Sequence, residues 1–532
     1  MIETDVLIVG GGPVGMGLGL ELARHGIGSV IVELNEATTL HPKSRGTTAR
    51  TMEDFRSWGI EQEVWDGGVD GPDAMWVCES ITGRLIGTTM PSPYNIHSPC
   101  SKRTVAQDVV ERAIAGALAG QTKADLRRSH RFLRYEQDRD GVTGWAEDLR
   151  SGEEITFRAK YLIGCDGAGS KIRKSEGIEL IGPEIAQMAN YYYWADTSRL
   201  PQASLGAVFS VHPTDPSIRP ARIAPSGPDN ERWLWIALYS AEEGLLPDEE
   251  LIRNIRGHWG VPDLEVRPIN SLVWRMCAQV PERLRSGRVL LAGDAAHRFP
   301  PAGGMGLNSG IQDARNLGWK LAFVLKGLAG DALLDTYGVE RLQIARSNNA
   351  WSMGNAKRLP EVEAIVRDRN STPEALRGAL IEQSNHLNSE GQGFGEPYVE
   401  GALLPHPDGC PPHDARIYWP SDLPGARFPH MWLDADKTQS TLDWFASDLT
   451  LVCGTDAEPW RAAGEQIAAG EFPALSIRTL PWIAGPFSFG AGGAALVRPD
   501  GITAWRSNGG QADCHAALLQ ALNHILSRNS AS

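Results

Sequence analysis

Residues 4–33, TDVLIVGGGPVGMGLGLELARHGIGSVIVE, decide the fold. Asp5 to Val9 reads as a strand, apolar from Val6 on. Gly10-x-Gly12-x-x-Gly15 follows at once, and a helix is expected from about Val14 to His25, with Gly26 as its C-terminal stop. Ser29 to Val32 reads as a second strand, ended by Glu33. Each part has a physical task in gripping a dinucleotide. The first glycine allows a tight turn, the second lets a pyrophosphate approach the backbone, and the third lets helix and strand pack closely. Glu33 stands where an acidic residue binds ribose hydroxyls, and its charge would repel a 2′-phosphate, which argues against NADP here. The motif alone does not separate NAD from FAD.

The surrounding chain has 532 residues, enough for two or three domains with cores of their own. Its net charge of −14 argues against nucleic acid as main partner and gives no support for an anionic membrane surface. No apolar run approaches the ~20 residues of a spanning helix. The N-terminus opens on a strand without a basic region or cleavage site, so a cytoplasmic protein is expected. The seven cysteines are scattered and contain no C-x-x-C, which predicts reduced thiols and no metal site.

Two further stretches carry chemistry. In TFRAKYLIGCDGAGSKIR, residues 156–173, a short strand from Tyr161 to Ile163 ends in Gly164-Cys165-Asp166-Gly167, with Ser170 and Arg173 beyond. In GRVLLAGDAAHRFPPAGGMGLNSGIQDARNLGWKLAFVLK, residues 287–326, the strand from Val289 to Ala292 delivers Asp294. A loop with Pro300, Pro301, Gly303, Gly304 and Gly306 follows, then a helix with Ile311, Ala314, Leu317, Leu321 and Val324 on one face. Asp294 can accept from hydroxyls, while loop amides and the helix N-terminus stabilise an anion.

In this order the three motifs resemble those of the group A flavoprotein monooxygenases, the FAD-dependent aromatic hydroxylases of para-hydroxybenzoate hydroxylase fold. The likeness covers roughly residues 1–350 and is nearest to phenol and polyketide hydroxylases with a C-terminal extension. It implies FAD held by Gly10, Gly12, Pro13, Val14, Gly15 and Glu33 at its ADP half. Arg45 matches an arginine over the flavin or pyrophosphate, and Gln107, in the helix expected over Thr104–Ala117, a glutamine near the ribityl chain. Asp166 is implied to serve both FAD and the reduced nicotinamide, and Asp294 a ribityl or ribose hydroxyl. Pro301 and Gly304 belong to the loop beside the isoalloxazine, and the amides of Gly306, Leu307 and Asn308 would face the flavin N1–O2 edge. Met305 departs from the polar residue common there, and Cys165 stands where Ala is usual.

The fold class implied is α/β: a Rossmann-like FAD-binding domain, an inserted β-sheet substrate domain and a C-terminal thioredoxin-like domain. The expected segments are 1–70, 101–177 and 286–390 for FAD, the last with a helical connection, 71–100 and 178–285 for substrate, 391–424 as linker, and 425–532 as the extension. Strand-like runs at Asn190–Ala195, Gly206–Val211, Arg232–Tyr239 and Ser271–Met276 carry Tyr191, Tyr193, Trp233, Trp235 and Trp274. These rings could wall an aromatic pocket or simply fill a core. His212 and Arg275 read as structural or surface residues, so no catalytic base is assigned.

In the extension, Thr450–Cys453, Pro459–Ala468, Leu475–Leu480, Ala494–Arg498, Ile502–Trp505 and Cys514–Leu526 read in βαβ–ββ–α order. Cys453 lacks a partner in a C-x-x-C, so a structural or dimer-stabilising role is expected, compatible with a homodimer. The function implied is hydroxylation of a small phenolic or polycyclic aromatic through a C4a-hydroperoxyflavin, with NAD(P)H and O2. The alternatives are Baeyer–Villiger, epoxidising or decarboxylating oxidation on the same scaffold, or a non-catalytic FAD carrier.

Overall fold

The computed structural model describes residues 1–70, 74–90, 95–205, 208–368, 371–384, 388–482 and 485–528. The strand before the glycine loop, Val6–Val9, is buried along its whole length and lies inside a six-stranded sheet. Tyr161–Gly164 pairs with it on one side and Ser29–Val32 on the other, both parallel to it. Val289–Leu291 continues the sheet beyond Tyr161–Gly164, and Ala124–Arg127 beyond Ser29–Val32, again in parallel. Parallel strands covered on both faces read as near-continuous apolar runs, as Val6–Val9, Tyr161–Gly164 and Val289–Leu291 do. The alignment has a chemical result. The Gly10 loop, Glu33, Asp166 and Asp294 all follow the carboxyl ends of adjacent strands, so they stand in a row along one edge. Helix Pro13–Arg24 packs against both Gln107–Ala119 and Met305–Leu325.

A seven-stranded sheet forms the second layer, ordered Val266–Cys277, Glu184–Ala195, Arg232–Leu238, Ala221–Pro225, Val208–Val211, Met75–Cys78, Leu85–Thr88. Its two edge segments come from either side of the Arg103–Ala119 region in sequence. The start of the run expected at Gly206–Val211 falls on residues 206–207, outside the described residues. One face of the sheet is closed by helix Asp248–Trp259, which the sequence reading did not anticipate. Its acidic first turn and the Gly260 stop at φ 71° are ordinary helix signals, hidden among charged residues.

Two helices differ from expectation. Residues 103 and 104 form a short strand with Gly46–Thr47, so the following helix begins at Gln107 rather than Thr104 and runs to Ala119. The helical connection expected within 286–390 is longer than one ordinary helix: Asp335–Arg367 runs through Pro360 and is followed by Pro373–Ser384.

The C-terminal sheet is ordered Leu475–Thr479, Leu449–Cys453, Ala494–Val497, Thr503–Ser507, with helices Glu458–Ala469 and Cys514–Ile525. The first two strands are parallel and the other pairings antiparallel. The turn at 498–501 inserts into the rest of the molecule. Arg498 grips Glu340 with both terminal nitrogens, at 2.8 and 2.9 Å, and all these atoms are buried. Lys320 Nζ and Asn316 Nδ2 donate to the same carboxylate at 2.8 and 2.6 Å. Among the described residues no helix is long and apolar enough to cross a membrane.

Candidate functional site: a nucleotide cleft

The glycine loop separates into positions required by the protein and one left open. Gly10 has φ +108°, and a Cβ there would sit 2.2 Å from the carbonyl oxygen of Cys165. A Cβ on Gly15 would sit 2.0 Å from the carbonyl oxygen of Gly10. Gly12 has no atom within 4 Å of where its Cβ would be. The protein itself therefore gives no reason for glycine at 12, whereas a ligand lying on the backbone does. Gly12 caps helix Pro13–Arg24 without a side-chain bond, and Pro13 fills the first position, where a missing N–H costs least. Amides at that helix start stay available for an anion.

Glu33 closes the loop from the second strand. Its Oε2 accepts from the Gly11 amide at 2.6 Å, and its Oε1 from Asn35 N and Nδ2 at 2.8 and 2.7 Å. A carboxylate has about four acceptor sites, so capacity for a ribose hydroxyl remains. Val14 acts as a peg: a Cβ on Gly310 would lie 2.5 Å, and one on Gly293 3.0 Å, from its Cγ2. Through that contact the first motif locks onto the third.

Behind Asp294 lies a carboxylate with both oxygens engaged. Buried Asp313 accepts from the Gly293 amide at 3.0 Å, from His297 Nε2 at 2.8 Å and from Arg341 Nε at 2.7 Å. Burial alone would raise the Asp313 carboxyl, but His297 and Arg341 together hold it below its ordinary value. Asp294 itself is different. Its side chain is exposed and has no hydrogen bond among the described residues. Yet protein surrounds it closely enough that desolvation raises its pKa, against the opposing charges of His297, Lys43 and Arg298. An accessible carboxyl walled in by protein lies at the floor of a cleft.

The other expected residues border the same cleft. Asn308 Oδ1 accepts from the Thr48 amide at 2.9 Å, and its Nδ2 donates to the carbonyls of Gly46 and Gly304 at 3.1 and 2.6 Å. Its side chain thus clamps the Arg45 loop to the start of helix Met305–Leu325, a role the motif reading did not assign. Gly304, at φ 66°, is the N-cap, so Met305, Gly306 and Leu307 have first-turn amides without intrahelical acceptors. Pro301 accepts from the Gly304 amide at 3.0 Å and shapes that turn. Arg45 Nε donates to the Pro225 carbonyl at 3.0 Å, tying its loop to the seven-stranded sheet. Gln107 donates to Glu111 Oε1 at 2.7 Å, and its amide to the Ser44 carbonyl at 3.0 Å. Asp166 caps the short helix Lys171–Ser175, accepting from Ser170 Oγ at 2.5 Å and the Lys171 amide at 2.7 Å. Asp313 and Arg341 were missed; their signal, a charge inside an apolar helix face, marks a buried pair without naming its purpose.

The aromatic cluster divides by strand alternation. Tyr191, Tyr193, Trp233 and Trp235 are at most 3% exposed and pack on helix Asp248–Trp259. They fill a core and are not a pocket wall. The opposite face carries Asn190, Tyr192, Leu234, Ile236, Leu272 and Trp274, by register. It looks toward the cleft, since His41 Nδ1 meets Asn270 Oδ1 at 2.6 Å and the His41 ring stands edge-on to Tyr192.

Comparison with known proteins agrees with this geometry. Residues 3–352 match the FAD binding domain family. The chain belongs to that family of flavin-dependent monooxygenases. Residues 421–529 match the C-terminal region of aromatic-ring hydroxylases. The chain is 34% identical to tetracenomycin A2 monooxygenase-dioxygenase of Streptomyces glaucescens, over 99% of this chain and 98% of that one. It is 32% identical to 4-methyl-5-nitrocatechol 5-monooxygenase of Burkholderia sp, over 99% and 98%. The crystal structure of the flavin-dependent monooxygenase PieE with FAD and substrate superposes with a TM-score of 0.88, at 30% identity and 99% coverage of both chains. FAD is thus the cofactor, and open Gly12, unpaired Asp294 and the first-turn amides fit its polar groups.

Proposed function

We propose that this flavoprotein hydroxylates an electron-rich aromatic ring, drawing on NAD(P)H and O2, in the cytoplasm. The observation that carries the reading is Asp294, accessible, unpaired and walled in, in line with Glu33, Asp166 and the free helix amides. In this reading Gly10 to Gly15 and Glu33 hold the adenosine and pyrophosphate, and Asp294 a sugar or ribityl hydroxyl. The Met305, Gly306 and Leu307 amides lower the cost of negative charge beside them, because fixed donors need no reorganisation. Bound FAD supplies hydride acceptance and O2 activation. The chain supplies position, a hydroxyl anchor and exclusion of water by the sheet above the cleft.

The parallel sheet with its glycine loop supports a Rossmann-like reading of the FAD-binding part. The seven-stranded sheet, built from segments either side of the second FAD segment, supports an inserted substrate domain. The strand order of residues 449–507 supports a thioredoxin-like extension. Cys453 is buried, and burial pushes its thiol up to about 12, which speaks against redox work there.

The test is direct. Purified protein should be yellow and should oxidise NAD(P)H faster when a hydroxylatable phenol is added, with oxygenated product formed. A colourless protein that takes up no added FAD, or a yellow one giving no product across phenols, aromatic acids and polycyclic quinones, would overturn it.

A further inference from the structure

Trp274 and Asn190 sit side by side on the cleft-facing side of the seven-stranded sheet, on neighbouring strands. Trp274 Nε1 donates to Asn190 Oδ1 at 3.0 Å. An indole N–H is donor only, so this bond fixes which way the amide lies: its oxygen toward Trp274, its nitrogen away. Asn190 is 7% exposed, and its Nδ2 has no acceptor among the described residues. A mostly buried amide with two unspent donors at an accessible nitrogen, held in one orientation by a neighbour, is set to donate to a ligand that enters beside it.

The surroundings say what that acceptor belongs to. Leu272, Trp274 and Met276 lie on the same side of strand Val266–Cys277, and all three are half-buried while the alternate residues are exposed. Leu234 and Ile236 continue the apolar surface on the far side of Asn190. Leu272 to Met276 spans about 13 Å of strand, longer than a single ring requires. The wall is flat, apolar and carries one oriented donor.

We propose that Asn190 binds an oxygen of the substrate, that Trp274 positions it, and that the wall selects a flat fused aromatic bearing a ring carbonyl or phenolate over a single-ring phenol. This rests on the hydroxylase reading. The substrate oxygen accepts from Nδ2 while its rings lie on Ile236 and Leu272. Trp274 acts through the amide, so its loss matters only while Asn190 is present.

The full-length holoenzyme is titrated with 1,8-dihydroxyanthraquinone, with phenol as the single-ring control, following the bound-flavin absorbance. The wild type should bind the anthraquinone more tightly than phenol. Asn190→Asp keeps the acceptor for Trp274 and loses the donor; Asn190→Leu loses both. Each should weaken the anthraquinone by about tenfold or more while retaining FAD. Trp274→Phe should weaken it less, and adding it to Asn190→Leu should change nothing further. The inference falls if the wild type prefers phenol or does not bind the anthraquinone. It falls also if both Asn190 variants bind as the wild type does, or if the two losses add. A wild-type protein without FAD would remove the hydroxylase reading as well; a yellow protein that hydroxylates phenol but ignores the Asn190 changes overturns this inference alone.

Discussion

Helix Met305–Leu325 faces two polar environments. At its first turn, amides and the neighbouring Asp294 carboxyl have no partners among the described residues, and the region is open. Farther along, Asp313, Arg315, Asn316 and Lys320 are buried and paired. Lys320 and Asn316 meet Glu340; Arg315 meets Glu21 at 2.7 Å; Arg498 and Asp500 complete the cluster. The difference separates binding from structure. A sealed charge must find its partners inside the chain, whereas an unpaired charge that protein surrounds but does not cover awaits a ligand.

The hardest way to break this contrast is at the glycine loop. Gly10→Ala should fail to fold or lose more than about 4 kcal/mol, because its Cβ meets backbone that cannot move aside. Gly12→Ala should fold with near wild-type thermal stability and lose FAD. Equal melting curves for the two variants would erase the distinction between structural and ligand-facing glycines.

Next comes Glu340→Gln, which leaves Arg498 and Lys320 buried beside a neutral amide, a cost of about 3–5 kcal/mol. Urea denaturation would measure it. Burial by itself would raise the Glu340 carboxyl, but Arg498 and Lys320 prevail and hold it at about 2, below the ordinary 4.5. The unfolded chain therefore binds the extra proton as pH falls between those values. The stability from this group is complete above 4.5 and disappears as pH drops toward 2, and the variant should lose that part of the acid limb. An acid limb identical to wild type would show that the cluster is not coupled this way.

Asp294→Ala should act oppositely. Stability of the flavin-free protein should hardly change, while FAD affinity drops by ~1.5–3 kcal/mol, or about ten- to hundredfold, in a fluorescence titration. Undiminished affinity would mean the accessible carboxylate does not touch the cofactor. The smallest effect belongs to Cys453→Ala: about 1 kcal/mol of stability and no change in turnover. Lost turnover in correctly folded protein would point to thiol chemistry after all.

The readable parts of this molecule were those where local sequence dictates geometry. Ser29–Val32 appears with its expected bounds, because a short apolar run between Gly and Glu has few other uses. The motif residues could be named because glycine, acid and helix start must follow one another closely. What escaped depends on partners far away in the chain. Helix Asp248–Trp259 decides which face of the sheet is closed, so without it Tyr191 and Trp235 look as suitable for a pocket as Asn190 and Trp274. Asn308 was placed correctly beside the loop, but its side chain serves Gly46 and Thr48, some 260 residues earlier. No spacing rule predicts such a contact. Arg341 and Asp313 likewise read only as a charged pattern until the fold brings His297 and the Gly293 amide to the same carboxylate.

The reach of Arg498 also sets an order of events during synthesis. Every motif for FAD has been made once residue 308 is added, but Glu340 gains Arg498 only 158 residues after its own position. At roughly 5–20 residues per second, that interval is on the order of ten seconds. Until then Glu340 has Lys320, Asn316 and, once residue 402 is made, the Ala402 amide, but no guanidinium to match its charge. The nascent chain can shape its nucleotide loop early, but helix Met305–Leu325, proposed to present amides to the flavin, becomes firm only when the last hundred residues close over it.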